Sequence, residues 1–278
     1  MQSTSHYLQC CNREIHYTEW GAPDAPPLLM WHGLARTCRD FDDIAGALSD
    51  TYRIIAPDMI GRGLSEWSAD PDHEYCLAFY ARVAQALADQ LGIRRMRWIG
   101  TSMGGAIGTL AGATVLRGRI SHLVLNDNGP ALAASAIERI RTYAGNPAQF
   151  DTVTAFENYL RTIYQPYGWQ SDAQWRRMAE TSVRRLPNGR ITAHYDPAMV
   201  QQFIVHPHDY DLWQQYDTLD MPILVLRGEH SDLLLRETAD AMTQRGPHAQ
   251  LAVIPGCGHA PALNVPDQIE LVRHFLAA

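Results

Sequence analysis

Ser102 stands at the centre of Gly100-Thr101-Ser102-Met103-Gly104, a G-x-S-x-G pattern followed by Gly105. A serine hydroxyl is a weak nucleophile. It becomes a strong one when a base takes its proton and a third group orients that base. If residues 96–100 are an apolar strand and a small-residue helix follows, the pentapeptide is a nucleophile elbow, a turn so sharp that its serine sits in a strained backbone conformation. The residues two before and two after must then carry almost no side chain, and Gly100 and Gly104 meet that need. Outside that context the same letters describe a glycine-rich turn with an incidental serine.

Twelve histidines compete for the role of base. His259 lies in Pro255-Gly256-Cys257-Gly258-His259-Ala260-Pro261, directly after the last predicted strand. In a parallel sheet such loops gather at the carboxyl edge, where Ser102 also sits. His230 and His32 follow strands too and are its rivals. His206 and His208, with Asp209 beside them, make a weak case for a metal, so no metal site is assigned. Two aspartates are candidates for the acid, and both give the chain order Ser–Asp–His. Asp232 follows the strand at residues 223–226, whereas Asp127, between Asn126 and Asn128, reads as a turn residue at the hinge of an insertion. We assign Asp232; Glu229 follows its strand too closely. A tetrahedral intermediate further needs two N–H donors for its oxyanion. Met103, next to the nucleophile, supplies one backbone amide. Leu34, after His32-Gly33, supplies the other, which leaves the His32 side chain a structural part.

These residues need a scaffold. Short alternating runs at residues 7–11 and 14–19 suggest an antiparallel hairpin. The continuous apolar run at 28–31 reads as a parallel strand covered on both faces, and further strands are expected at 52–56, 96–100, 122–125, 223–226 and 251–254. Helical stretches at 41–48, 75–91, 236–244 and 265–276 alternate with them. From 131 to 216 the alternation stops. No convincing strand occurs there, only helical segments rich in aromatics, including Tyr143, Trp169 and Trp213. The expectation is a mostly parallel, doubly wound α/β sheet formed by residues 1–130 and 217–278, with residues 131–216 inserted as a helical cap.

A chain of 278 residues, 46% hydrophobic and 19% charged, can bury a sizeable core. Its net charge of −7 and lack of a basic cluster argue against a nucleic-acid partner or an anionic membrane surface. Residues 1–13 show no leader pattern and no apolar run nears ~18 residues. The five cysteines are odd in number with no C-x-x-C spacing. Reduced thiols in a cytoplasmic protein are therefore expected.

Taken together, His32-Gly33, Pro57-Asp58-x-x-Gly61-Arg62-Gly63-x-Ser65, Gly100-x-Ser102-x-Gly104-Gly105, Gly228-x-x-x-Asp232 and Gly258-His259-Ala260-Pro261 resemble the α/β-hydrolase family over essentially the whole chain. Within the family the chain is similar to bacterial carboxylesterases, including hydrolases of short hydroxyalkanoate esters. The resemblance implies a serine hydrolase without cofactor that cleaves a small to medium carboxylic ester through an acyl-enzyme, with Asp58 and Arg62 structural. Serine at 102 separates it from branches that use aspartate there. Ala260 replaces the tryptophan that often follows the histidine in carbon–carbon bond hydrolases. A lactone or carbon–carbon bond hydrolase with the same residues is the alternative, and a ligand receptor on the same fold the non-enzyme one. Trp169 and Trp213 in the cap are expected to line the substrate pocket. Arg36, two residues past Leu34, is either a ligand for a substrate carboxylate or a surface cation. The oligomeric state is not legible.

Overall fold

The computed structural model describes residues 3–278 apart from the side chain of Tyr143. The first two residues of the segment inspected for a leader, and the side chain of one cap aromatic, thus lie outside the described residues. Eight strands form one sheet: β1 (Thr4–Cys10), β2 (Arg13–Trp20), β3 (Pro27–Trp31), β4 (Arg53–Pro57), β5 (Met96–Thr101), β6 (Ile120–Asn126), and then, beyond a hairpin of β7 (Val183–Arg185) and β8 (Ile191–Ala193), β9 (Ile223–Gly228) and β10 (Gln250–Ile254). Their order is β1-β2-β4-β3-β5-β6-β9-β10. The β1–β2 and β2–β4 pairs are antiparallel, and every later pair is parallel. The β1–β2 hairpin closes through Cys11 and Asn12, both at positive φ (54° and 63°), the geometry that matches the twist of two-residue hairpins.

The apolar runs carry two cores because successive side chains leave a strand on opposite faces. Leu29, Trp31, Trp98, Leu123, Leu125 and Val225 pack with helices Leu77–Gln90 and Met103–Ala113. Leu28, Met30, Ile54, Ile99, Val124 and Leu224 pack on the other face with helices Asp42–Leu48 and Pro266–Ala277. The sheet is therefore covered on both sides, and none of these strands alternates with polar residues. Among the described residues no helix is long and apolar enough to cross a membrane.

Between β6 and β9 the chain forms helices Ala134–Ala144, Val153–Ile163 and Asp172–Ser182, with shorter turns beyond them. Phe156, Leu160, Trp175, Met178 and Ile191 give this segment its own small core. One expectation fails here, because β7 and β8 make a hairpin where no strand was foreseen. Its strands are three residues long, too short for a visible alternation, and Gly189 at φ 82° closes the turn. The segment seats itself on loops that leave the carboxyl ends of β4 and β10. Gly63 N donates to His194 O (2.9 Å), Asp196 N to Gly61 O (2.7 Å), Gly258 N to Pro166 O (2.7 Å) and Ala262 N to Tyr167 O (3.0 Å). It thus lies on the same sheet edge as Ser102.

Candidate active site

Ser102 is the residue between β5 and helix Met103–Ala113, with φ 53° and ψ −116°. Only tight packing holds a serine in that left-handed region, and the neighbouring glycines provide it. A Cβ on Gly100 would meet Gly104 C at 2.3 Å, and one on Gly104 would meet Trp31 O at 2.0 Å. One on Gly105 would press Asn128 Cβ at 2.9 Å. Each glycine therefore lets a backbone or side chain approach closer than any other residue would.

His259 Nε2 lies 2.9 Å from Ser102 Oγ, and its Nδ1 lies 2.6 Å from Asp127 Oδ2. An Asp127 carboxylate only accepts, so Nδ1–H donates to it and Nε2 is left to accept from the serine hydroxyl. Asp127 is fully buried, at φ 55°, and also accepts from Gly228 N (2.8 Å) and Ser231 Oγ (2.6 Å). These donors hold the carboxylate in one orientation beneath the imidazole.

The assignment of Asp232 as the acid is therefore overturned. Its carboxylate is more than half exposed and pairs with Arg139 at 2.5 Å, away from His259. The cause is the winding of the loop after β9. The Arg227 guanidinium donates to the carbonyls of Gly228, Glu229, Ser231 and Leu234. Wound around that cation, the loop points Ser231 inward to Asp127 and leaves Asp232 facing solvent. It supplies a hydroxyl and an amide to Asp127 and no carboxylate to His259.

The backbone of Gly33 runs against Ser102, since a Cβ there would lie 3.7 Å from Ser102 Cβ. Leu34 follows it. Arg62, fully buried, donates to Leu34 O (2.9 Å), Ile60 O (2.8 Å) and Tyr80 Oη (3.0 Å), and touches Met103 Sδ at 3.7 Å. One guanidinium thus fixes both residues whose amides were expected to face an oxyanion, a link that no pattern in the sequence discloses. Asp58, also buried, anchors the same loop. Although burial alone would raise its pKa, the hydrogen bond from His16 outweighs it and holds the pKa lower than usual, and it accepts from Cys38 N and Leu64 N.

The other histidines have different work. His32 is buried, its Nε2 accepting from Met59 N (2.9 Å) and its Nδ1 donating to Gly33 O (2.7 Å). Burial pushes its pKa down, so it stays neutral and shapes the Gly33 turn. His230 is exposed beside Glu229, and His206 Nε2 bonds Asp72 O. Among the described residues His16, Cys38 and Asp58 bring potential ligand atoms within 4.8 Å of one another. His16 Nδ1 and Asp58 Oδ2 are already bonded to each other at 2.7 Å, and Thr18 contacts the Cys38 sulfur. That group is a buried hydrogen-bonded anchor for the loop.

Two of the three expected substrate contacts, Arg36 and Trp213, are engaged with other partners. Arg36 is neither surface cation nor free ligand. It is buried, doubly bonded to Asp40 (2.8 and 2.5 Å) and stacked 4.7 Å from the ring centroid of Tyr164. Burial would lower its pKa, but Asp40 and Tyr164 outweigh that and raise it. Trp169 is 69% exposed. Trp213 stacks on Arg245 at 4.1 Å and edge-on to Tyr216. Aromatic content alone could not say which rings face the site.

Comparison with known proteins agrees with this architecture. The family model for the alpha/beta hydrolase fold matches residues 26–264. The chain is 38% identical to the 3-hydroxybutyrate-oligomer hydrolase of Cupriavidus necator, covering 97% of this chain and 96% of that protein. It is 26% identical to the pimeloyl-[acyl-carrier protein] methyl ester esterase of Nitrosomonas europaea, over 91% of this chain and 96% of that one. The crystal structure of an alpha/beta hydrolase from Novosphingobium aromaticivorans superposes with a TM-score of 0.86 at 34% identity, covering 99% of this chain and 98% of that one. With that match and the eight-stranded sheet, the chain belongs to the alpha/beta hydrolase family.

Proposed function

We propose that this protein is a serine hydrolase of carboxylic esters, and that residues 131–216 act as a cap over its site. The observation that carries the reading is the hydrogen-bonded chain from buried Asp127 through His259 to Ser102. In this mechanism Ser102 Oγ attacks the ester carbonyl while His259 Nε2 takes its proton, and Asp127 stabilises the imidazolium. The amides of Leu34 and Met103 receive the developing oxyanion. Collapse of the intermediate breaks the C–O bond, and His259 returns its proton to the departing alcohol. Water, deprotonated by the same imidazole, then releases the acid and restores Ser102. Similarity to the Cupriavidus necator enzyme extends the substrate class to short oligomers of 3-hydroxybutyrate.

The test measures hydrolysis of p-nitrophenyl acetate and butyrate together with labelling by a fluorophosphonate probe. Wild type is expected to react with both ester and probe. Ser102→Ala is expected to take up no probe and to lose roughly 10⁶-fold in kcat, the scale for removal of such a serine. Retention of a tenth of the activity by Ser102→Ala would end this reading.

A further inference from the structure

Asn126 is the last residue of β6, buried, and immediately precedes Asp127. Its side-chain amide carries two N–H groups, and the structure gives each an acceptor. Nδ2 donates to Thr101 Oγ1 at 3.0 Å and to Pro261 O at 2.9 Å. A carbonyl oxygen only accepts, so Pro261 O decides which end of the amide faces it. Oδ1 is left buried with no hydrogen-bond partner among the described residues. A buried acceptor without a donor costs stability, so what this side chain contributes lies in its two donated bonds.

Those bonds join the three stretches that carry Ser102, Asp127 and His259. Thr101 precedes Ser102, Asn126 precedes Asp127, and Pro261 lies two residues past His259. The backbone adds a further link, with Ser102 N donating to Asn126 O at 3.0 Å. At its flanks the histidine stretch is bonded outward. Gly258 N and Ala262 N, on either side of His259, donate to Pro166 O and Tyr167 O of the inserted segment. Asn126 ties the same stretch back to the sheet. Ser102 and Asp127 are set by strand ends that lie in register. His259 has no strand beneath it, so its contacts of 2.9 Å to Ser102 and 2.6 Å to Asp127 depend on where its loop rests.

We propose that Asn126 is a positioning residue, whose amide holds the His259 loop against the ends of β5 and β6 so that the imidazole meets Ser102 and Asp127 together. This rests on the ester-hydrolase reading of the site and adds to it a residue that acts through His259 rather than on the substrate. A misplacement of about 1 Å costs on the order of 10²-fold in rate, so the loss of this one tie is large enough to read in kcat.

The experiment measures kcat and KM for p-nitrophenyl acetate in wild type, Asn126→Leu, Asn126→Ser and Thr101→Val, each at a temperature where thermal unfolding shows it folded. Proton NMR of the same proteins reads the downfield resonance of the imidazole Nδ1–H bonded to Asp127. Leucine fills the space without a donor, and serine keeps a hydroxyl too short to span both acceptors. Either variant reports if the other fails to fold. Both are expected to lose about 10²-fold in kcat with KM little changed, and to shift or broaden the Nδ1–H resonance. Thr101→Val leaves the bond to Pro261 in place, and is expected to lose far less and to keep the resonance. Folded Asn126 variants with wild-type kcat and an unmoved resonance, whatever their thermal midpoints, overturn the proposal. So does a Thr101→Val variant that loses as much as Asn126→Leu, because the tie to the histidine loop is then not what matters. A wild type that hydrolyses no ester, with the resonance displaced in Asn126→Leu, overturns the esterase reading and keeps the positioning of His259.

Discussion

Ser102 and Asp127 are each the first residue beyond Thr101 and Asn126, which lie in register on the neighbouring parallel strands β5 and β6. Both leave their strands at positive φ, 53° and 55°, and Ser102 N donates to Asn126 O at 3.0 Å. Two adjacent strands thus end level and present a hydroxyl and a carboxylate side by side, with His259 set between them from the loop after β10.

The two aspartates give the most direct check on this arrangement. Asp127→Asn keeps the shape but holds the imidazole in the wrong tautomer, and should lose about 10⁴-fold in kcat. Asp232→Asn breaks only an exposed pair with Arg139, worth about 0–1 kcal/mol, and should hydrolyse the same ester within a few-fold of wild type. Steady-state rates on one ester at one pH decide it, and the reverse ranking would return the acid to the loop after β9.

Local packing predicts opposite outcomes for two glycine substitutions. Gly104→Ala drives a methyl to within 2.0 Å of Trp31 O. It should destabilise the protein by about 3 kcal/mol or more, at the upper end of what core overpacking costs. Gly46 lies in helix Asp42–Leu48, where a Cβ meets nothing within 4 Å. Gly46→Ala should therefore stabilise by roughly 0.5–1 kcal/mol through helix propensity. Urea midpoints for the two variants measure both signs.

Arg36 ties the loop after β3 to the inserted segment through Asp40 and Tyr164. Arg36→Ala leaves the Asp40 carboxylate without its partner and Tyr164 without its stacked cation. The expected loss is about 3–5 kcal/mol, the scale for breaking a buried pair on one side. Arg36→Lys keeps the charge but not the two-pronged geometry and should fall between. Urea unfolding reads the loss. Limited proteolysis should show cleavage beginning near Tyr164, and an unchanged pattern would detach Arg36 from the seating of that segment.

His32 sets a pH dependence of stability. Burial holds its pKa below the ordinary 6.5. Below about that pH the unfolded chain binds a proton that the native imidazole refuses. Stability contributed by neutral His32 is thus complete above about pH 6.5 and declines as the pH falls below it. Burial lowers His194 in the same sense. Thermal midpoints should fall on going from pH 7.5 to 5, and less steeply in His32→Asn, which carries no titrating ring. A midpoint that rises over this interval would contradict the neutral assignment.

The sequence by itself determined the sheet and the sharp turn that carries Ser102. Period-two burial on a two-sided sheet requires continuous apolar runs such as those at Leu28 and Ile223, and such runs are visible without coordinates. The glycines around Ser102 are equally legible, since the elbow tolerates no Cβ at Gly100 or Gly104. The chain also showed that a long helical segment interrupts the alternation. The choice between Asp127 and Asp232 was left to the tertiary structure, because Ser–Asp–His is the chain order either way. It depends on β6 ending level with β5, and on Arg227 winding the next loop so that Asp232 turns outward. The same holds for Arg36, Trp169 and Trp213. A cation or an aromatic ring serves equally well in a core, at a surface or against a substrate, and only the packing of the inserted segment on the carboxyl edge assigns each its place.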